Sequence, residues 1–153
     1  MSSFQDIAAG FQMVDRDTRL DLLLEYAGKL PPLPEAYQEL RDAGMNMVHE
    51  CQSPVFLRPE VRDGTVRVIA HVPRNAPTAR AFVSILHEAF DGATPEDVAN
   101  ATDYPLRDLG LSELLGAQRT QGLSAIYQRM KHAVAERTHS PIKADNEDPA
   151  SAS

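Results

Sequence analysis

The chain reads as an α+β fold, a small, mainly antiparallel sheet of about three strands covered by N-terminal and C-terminal helices. Two apolar runs, Val55 to Val61 and Thr65 to Val72, are joined at Arg62-Asp63-Gly64-Thr65, and the second alternates in polarity as a half-buried strand does. Before and after these runs, large apolar residues recur every three or four positions, the spacing of one helix face. A chain of 153 residues, 42% of them hydrophobic, can bury one core without disulfides or a structural metal.

Each element has a local cause. Phe4, Ile7, Phe11 and Val14 mark a first short helix, with Ser3 and Asp6 placed as in a capping box. Asp15 or Asp17 caps a second helix, with Leu20, Leu23, Leu24 and Ala27 on one face. Gly28 ends it, and Leu30-Pro31-Pro32-Leu33-Pro34 blocks continuation because proline has no amide to donate. One or two helical turns follow around Ala36 to Arg41. Met45 to Val48 is the candidate third strand, since two strands alone are marginal. Asp63-Gly64 is a hairpin signal, because glycine tolerates the positive φ of a tight turn. Asn75 and Pro77 then start a helix whose Phe82, Ile85, Leu86 and Phe90 form a buried stripe, stopped by Asp91-Gly92. Thr94-Pro95-Glu96-Asp97 opens a short helix, Tyr104 to Leu115 holds short helical pieces split at Gly110, and a last helix carries Leu123, Ile126, Tyr127, Met130 and Val134. Residues 1–137 form a single domain, and 138–153, with Ile142 its only large aliphatic residue, reads as a disordered tail.

Composition narrows the function classes. With 22 acidic against 15 basic residues the net charge is -7, which repels phosphate backbones and argues against a nucleic-acid partner. The first residues lack a basic n-region, and the longest uninterrupted aliphatic run is Leu22 to Leu24, so neither a signal peptide nor a membrane span is expected. The chain reads as cytoplasmic, and its single cysteine excludes an internal disulfide. One Cys and scattered histidines provide no close ligand pair, so neither zinc nor an iron–sulfur cluster is expected, and no cofactor. Phosphate-loop, dinucleotide and nucleophile-elbow glycine patterns are absent.

Cys51 remains, just before a strand. On position alone it has two readings, a buried small hydrophobe or a reactive thiol held in a loop. Glu50 beside it disfavours the thiolate unless a cation offsets that charge.

Six stretches in order, Gly28 to Pro34 (GKLPPLP), Cys51 to Ser53 (CQS), Pro77 to Phe82 (PTARAF), Gly92 to Val98 (GATPEDV), Leu106 to Leu111 (LRDLGL) and Gln118 to Leu123 (QRTQGL), resemble the SufE family. The resemblance runs from about Phe4 to Ala135. It implies a protein of iron–sulfur cluster assembly that accepts sulfur from a PLP-dependent, SufS-like cysteine desulfurase, stimulates it, and passes sulfur on, with a downstream cluster scaffold as a further partner. Cys51 would be the persulfide carrier, Gln52 and Ser53 would shape its loop, and Arg119 would sit on the same side. The chain would then be an accessory sulfurtransferase rather than a stand-alone enzyme. It departs from the pattern at Glu50, where the family commonly has glycine, at Phe56 for tryptophan, at Arg74-Asn75-Ala76, at Ala81 and at Gln121. One further point needs no resemblance. A persulfide is attacked by any second thiol, so a chain with one cysteine cannot discharge itself internally, which suits a carrier better than a scaffold. The alternative is a binding module that regulates a desulfurase without carrying sulfur.

Overall fold

The computed structural model describes residues 3–49 and 53–139 and has the expected α+β architecture. Helices α1 (Phe4–Gln12) and α2 (Arg16–Ala27) lead through a 3-10 turn (Glu35–Tyr37) into α3 (Gln38–Asp42). Strands β1 (Met47–Val48), β2 (Val55–Arg62) and β3 (Thr65–His71) follow, then α4 (Pro77–Phe90), α5 (Pro95–Ala99), α6 (Pro105–Asp108) and α7 (Ala117–His139). Residues 140–153, most of the expected tail, lie outside the described residues, while Thr138 and His139 still belong to α7.

The sheet is antiparallel throughout, in the order β1-β2-β3. Asp63 (φ 53°) and Gly64 (φ 75°) form the two-residue turn that pairs Arg62 with Thr65, the left-handed geometry such hairpins use. Val66, Val68 and Ala70 point into the core with Val55 and Leu57, and α4 and α7 pack over that face. Phe56, on the opposite face, is fully buried outside the main cluster.

The outer edge of β3 is occupied, and the stretch of β2 beyond its pairing with β1 is interrupted by a proline. Beyond β3, the Val66 amide donates to the Ala93 carbonyl at 2.7 Å, Gly92 donates back to the Val66 carbonyl at 2.7 Å, and the Val68 amide donates to Asp91 Oδ1 at 2.8 Å. The stop signal after α4 thus also finishes the strand edge. Since Pro59 pairs with Val68, whose amide points away from β2, the Pro59 nitrogen also faces outward, where no donor is needed.

Helix α4 is buried nearly all round, through Ala81, Phe82, Val83, Ser84, Ile85, Leu86, Ala89 and Phe90, and packs on α1, α2, α7 and β3. The α7 stripe, Leu123, Ile126, Tyr127, Met130 and Val134, is buried as its spacing predicts. Asp15, not Asp17, caps α2, accepting from the Thr18 amide at 2.8 Å. The α2 face is rotated from the expected one: Leu23 and Tyr26 are buried, while Leu24 is 52% exposed. Arg19 occupies the inner side of α2, where its guanidinium donates to the carbonyls of Phe11 (2.9 Å), Val14 (3.1 Å) and Gly110 (3.2 Å). A cation on the buried side disguises the apolar stripe. The third strand is shorter than expected, because Met45 and Asn46 turn, with Asn46 at φ 57°. Among the described residues no helix is long and apolar enough to cross a membrane.

On the outer face of the hairpin, Glu60 accepts from Arg58 Nε (2.9 Å), the Tyr37 hydroxyl (3.0 Å) and Arg62. Burial pushes the Glu60 carboxyl up, but these hydrogen bonds and the two arginine charges outweigh it and hold the group below the usual carboxylate range. A folded-state value below the unfolded one gives stability that is present above the unfolded carboxylate range and is lost as pH falls through the folded value. Chemical denaturation below about pH 5 is therefore expected to show a shallower acid loss in Glu60→Gln than in the parent chain. Equal pH slopes would remove Glu60 from the acid response.

Candidate functional site

The connection between β1 and β2 is a six-residue hairpin loop, 49–54, closed by the Val48–Val55 pair. His49 is exposed at its start and Ser53 half-buried near its end. Glu50, Cys51 and Gln52 lie outside the described residues. The expected site residues that the structure describes, Ser53 and Arg119, come together. They line one cleft of about 170 Å³, with Asn75, Ala76, Pro77, Thr78, Ala79, Gln118, Gly122 and Leu123.

The cleft lies where two helices begin. Proline at the first position starts α4, and its N-cap, Ala76, has no side chain able to cap the first-turn amides. Across the cleft, Gln118 and Arg119 belong to the first turn of α7. Two helix N-termini and an arginine make this a region of positive potential on a chain of net charge -7. Such surroundings lower the pKa of a thiol and favour anionic sulfur.

The wall formed by Asn75 to Ala79 is tied to the sheet from behind. Arg80 Nη1 donates to the Val72 carbonyl at 2.6 Å, and Arg80 Nε donates to the Ala27 carbonyl at 2.9 Å, so one side chain joins α4 to the end of β3 and the end of α2. The Ala76 amide donates to the Pro73 carbonyl at 3.1 Å, which turns the chain into the helix. Nearby, burial pushes the His71 imidazole down, and the Arg41 and Arg80 charges add to that effect against Asp42. His71 pairs with Phe56 across the sheet. Phe56 therefore fixes the stem of the cysteine loop from beneath.

Sequence reasoning did not single out Asn75, Thr78, Gln118 or Gly122 as lining residues. A weak signal existed at Ala76-Pro77, a helix start with no capping side chain before it. Arg80 was visible only as part of PTARAF, although a cation in a first turn is disfavoured by the helix dipole and so asks for a reason. Among the described residues no group of three or more His, Cys, Asp or Glu is placed to hold a metal.

A family model described as "SufE: Fe-S metabolism associated domain" matches residues 5–134. Uncharacterized SufE-like proteins from two strains of Mycobacterium tuberculosis are each 36% identical over 132 residues, spanning 86% of this chain and 90% of theirs. An uncharacterized SufE-like protein from Synechocystis is 26% identical over 117 residues, 76% of this chain and 70% of its own. The solution structure of a hypothetical protein from Thermus thermophilus superposes with a TM-score of 0.78 at 34% identity, covering 90% of this chain and 96% of that one.

Proposed function

This chain belongs to the SufE family, with its association with iron–sulfur metabolism, and from that premise we propose that it accepts sulfur on Cys51 from a PLP-dependent cysteine desulfurase. The Cys51 thiolate attacks the outer sulfur of the desulfurase's cysteine persulfide. A new S–S bond forms on Cys51 as the old one breaks, and the desulfurase cysteine leaves as a thiolate. No net oxidation or reduction occurs, so no further reactant is needed. The Cys51 proton passes to solvent, and the leaving thiolate recovers one from it.

The observation that carries this reading is the meeting of Ser53 and Arg119 in one cleft at the start of α4 and α7. Two peptide units separate Cys51 from Ser53, so the covalent chain keeps its Cα within about 7 Å of that of Ser53. The Arg119 cation and the two helix starts offset the Glu50 carboxylate and favour the thiolate that attacks and the persulfide anion that results. The sulfur then passes to an acceptor in cluster assembly by the same exchange. Gln52 and Ser53 shape the loop, their side chains suited to bonding nearby backbone.

Intact-protein mass spectrometry after incubation with a cysteine desulfurase and L-cysteine tests the proposal. A gain of about one sulfur atom, removed by reductant and absent in Cys51→Ser, is the expected result. Glu50 beside the thiol favours a second reading, in which the chain docks on the desulfurase and regulates it without carrying sulfur. Undiminished stimulation of the desulfurase by Cys51→Ser, with no sulfur gained by the parent chain, would select that reading instead.

A further inference from the structure

We propose that Arg80 is a positioning residue for sulfur acceptance, holding the α4 wall of the cleft at a fixed separation from the Ser53–Arg119 side. This rests on the carrier reading. Three observations point to it. Arg80 lies one residue beyond the wall, whose members Asn75 to Ala79 all line the cleft. Its two bonds run away from the cleft, to the Ala27 carbonyl at the end of α2 and the Val72 carbonyl just past β3. The wall also carries no capping side chain of its own. Finally, a cation in the first turn works against the helix dipole, so helix stability alone does not account for it. The planar guanidinium reaches both carbonyls at once, whereas a single ammonium on a flexible stem cannot hold the same fork.

Displacement of a reacting wall by about 1 Å can lower a rate by one to two orders of magnitude while leaving docking intact. Arg80→Lys keeps the charge and loses the fork; Arg80→Met loses both. Arg19→Met is the control, since it removes a comparable carbonyl-binding arginine remote from the cleft. At saturating desulfurase, well below the unfolding temperature of each variant, Arg80→Lys and Arg80→Met are both expected to load sulfur about tenfold more slowly. Their affinity for the desulfurase should stay within about twofold, and Arg19→Met should load at the parent rate. Parent-like loading by Arg80→Lys would overturn the proposal in favour of a charge effect. An equal slowing of all three variants would overturn it in favour of general destabilisation.

A parent chain that gains no sulfur would defeat the carrier reading, and amide chemical shifts then decide the positioning role separately. Shifts of Asn75, Ala76, Thr78 and Ala79 displaced in both Arg80 variants, beyond any change in Arg19→Met, would uphold it. Unmoved shifts would overturn it.

Discussion

Arg19→Met is expected to lower stability by about 3 kcal/mol, the cost of leaving several partly buried carbonyls without a donor. Those carbonyls, of Phe11, Val14 and Gly110, belong to the end of α1, the linker into α2 and the turn after α6. Gln12 Nε2 adds a bond to the Asp108 carbonyl at 2.9 Å, so side chains from the N-terminal helices supplement the backbone bonds that close the end of α6. The same junction explains the glycine in Leu106 to Leu111. Gly110 sits at φ +72°, and a Cβ built there would lie 2.9 Å from Arg19 Nη1. Gly110→Ala therefore meets backbone strain of about 1–2 kcal/mol and also displaces the guanidinium. The two variants share one contact, and the double variant should be less destabilised than the sum of the single ones. Thermal unfolding checks this, at about 2–4 °C per kcal/mol for a chain of this size. Strict additivity would mean that Arg19 does not hold the turn.

Phe56→Ala is expected to cost about 3–5 kcal/mol, because the ring is fully buried and its removal leaves a cavity beneath the sheet. The effect should extend to function. Phe56 pairs with Met47 and His71, at the stem of the loop that carries Cys51, so sulfur loading should fall even where the variant remains folded. Phe56→Trp, which restores the aromatic that the family pattern has here, keeps the hydrophobic surface and faces only the milder cost of overpacking, about 1–3 kcal/mol. The parent chain has no tryptophan, so that variant also places a single reporter at the loop stem for fluorescence-monitored unfolding. If Phe56→Ala were as stable as the parent, the ring would not anchor the hairpin.

Much of the fold was legible where local chemistry and periodicity agreed. Asp63-Gly64 announces its turn because few other pairs adopt two positive φ values, and both residues do so here. The stripes of α4 and α7 bury the residues their spacing selects, as α1 does with Phe4, Ile7 and Phe11, while Val14 falls past the end of α1 at Gln12 and is only half-buried. The α2 face was misread because Arg19 is a charged residue satisfied by backbone carbonyls that come from elsewhere in the chain, which no local pattern contains. The start of β1 was misplaced because Asn46 takes a left-handed conformation at a position without glycine. For the site, Cys51 stood out by being single, and Arg119 by resemblance. The cleft itself was not legible, since Ser53, Asn75 and Gln118 meet only through the packing of α4 and α7 around the sheet.

The occupied edge of β3 constrains how a partner engages this molecule. A protein that recognises another by β-augmentation needs a row of free amides and carbonyls along an outer strand. Here β3 presents Val66 and Val68 already bonded to the segment after α4, and β2 presents Pro59 where a donor would stand. Strand addition from a partner would have to displace these contacts. At these positions recognition is left to side chains and loops, where specificity is written by shape and charge rather than by a generic backbone ladder. The same arrangement protects this edge of the sheet against templated stacking with copies of the chain.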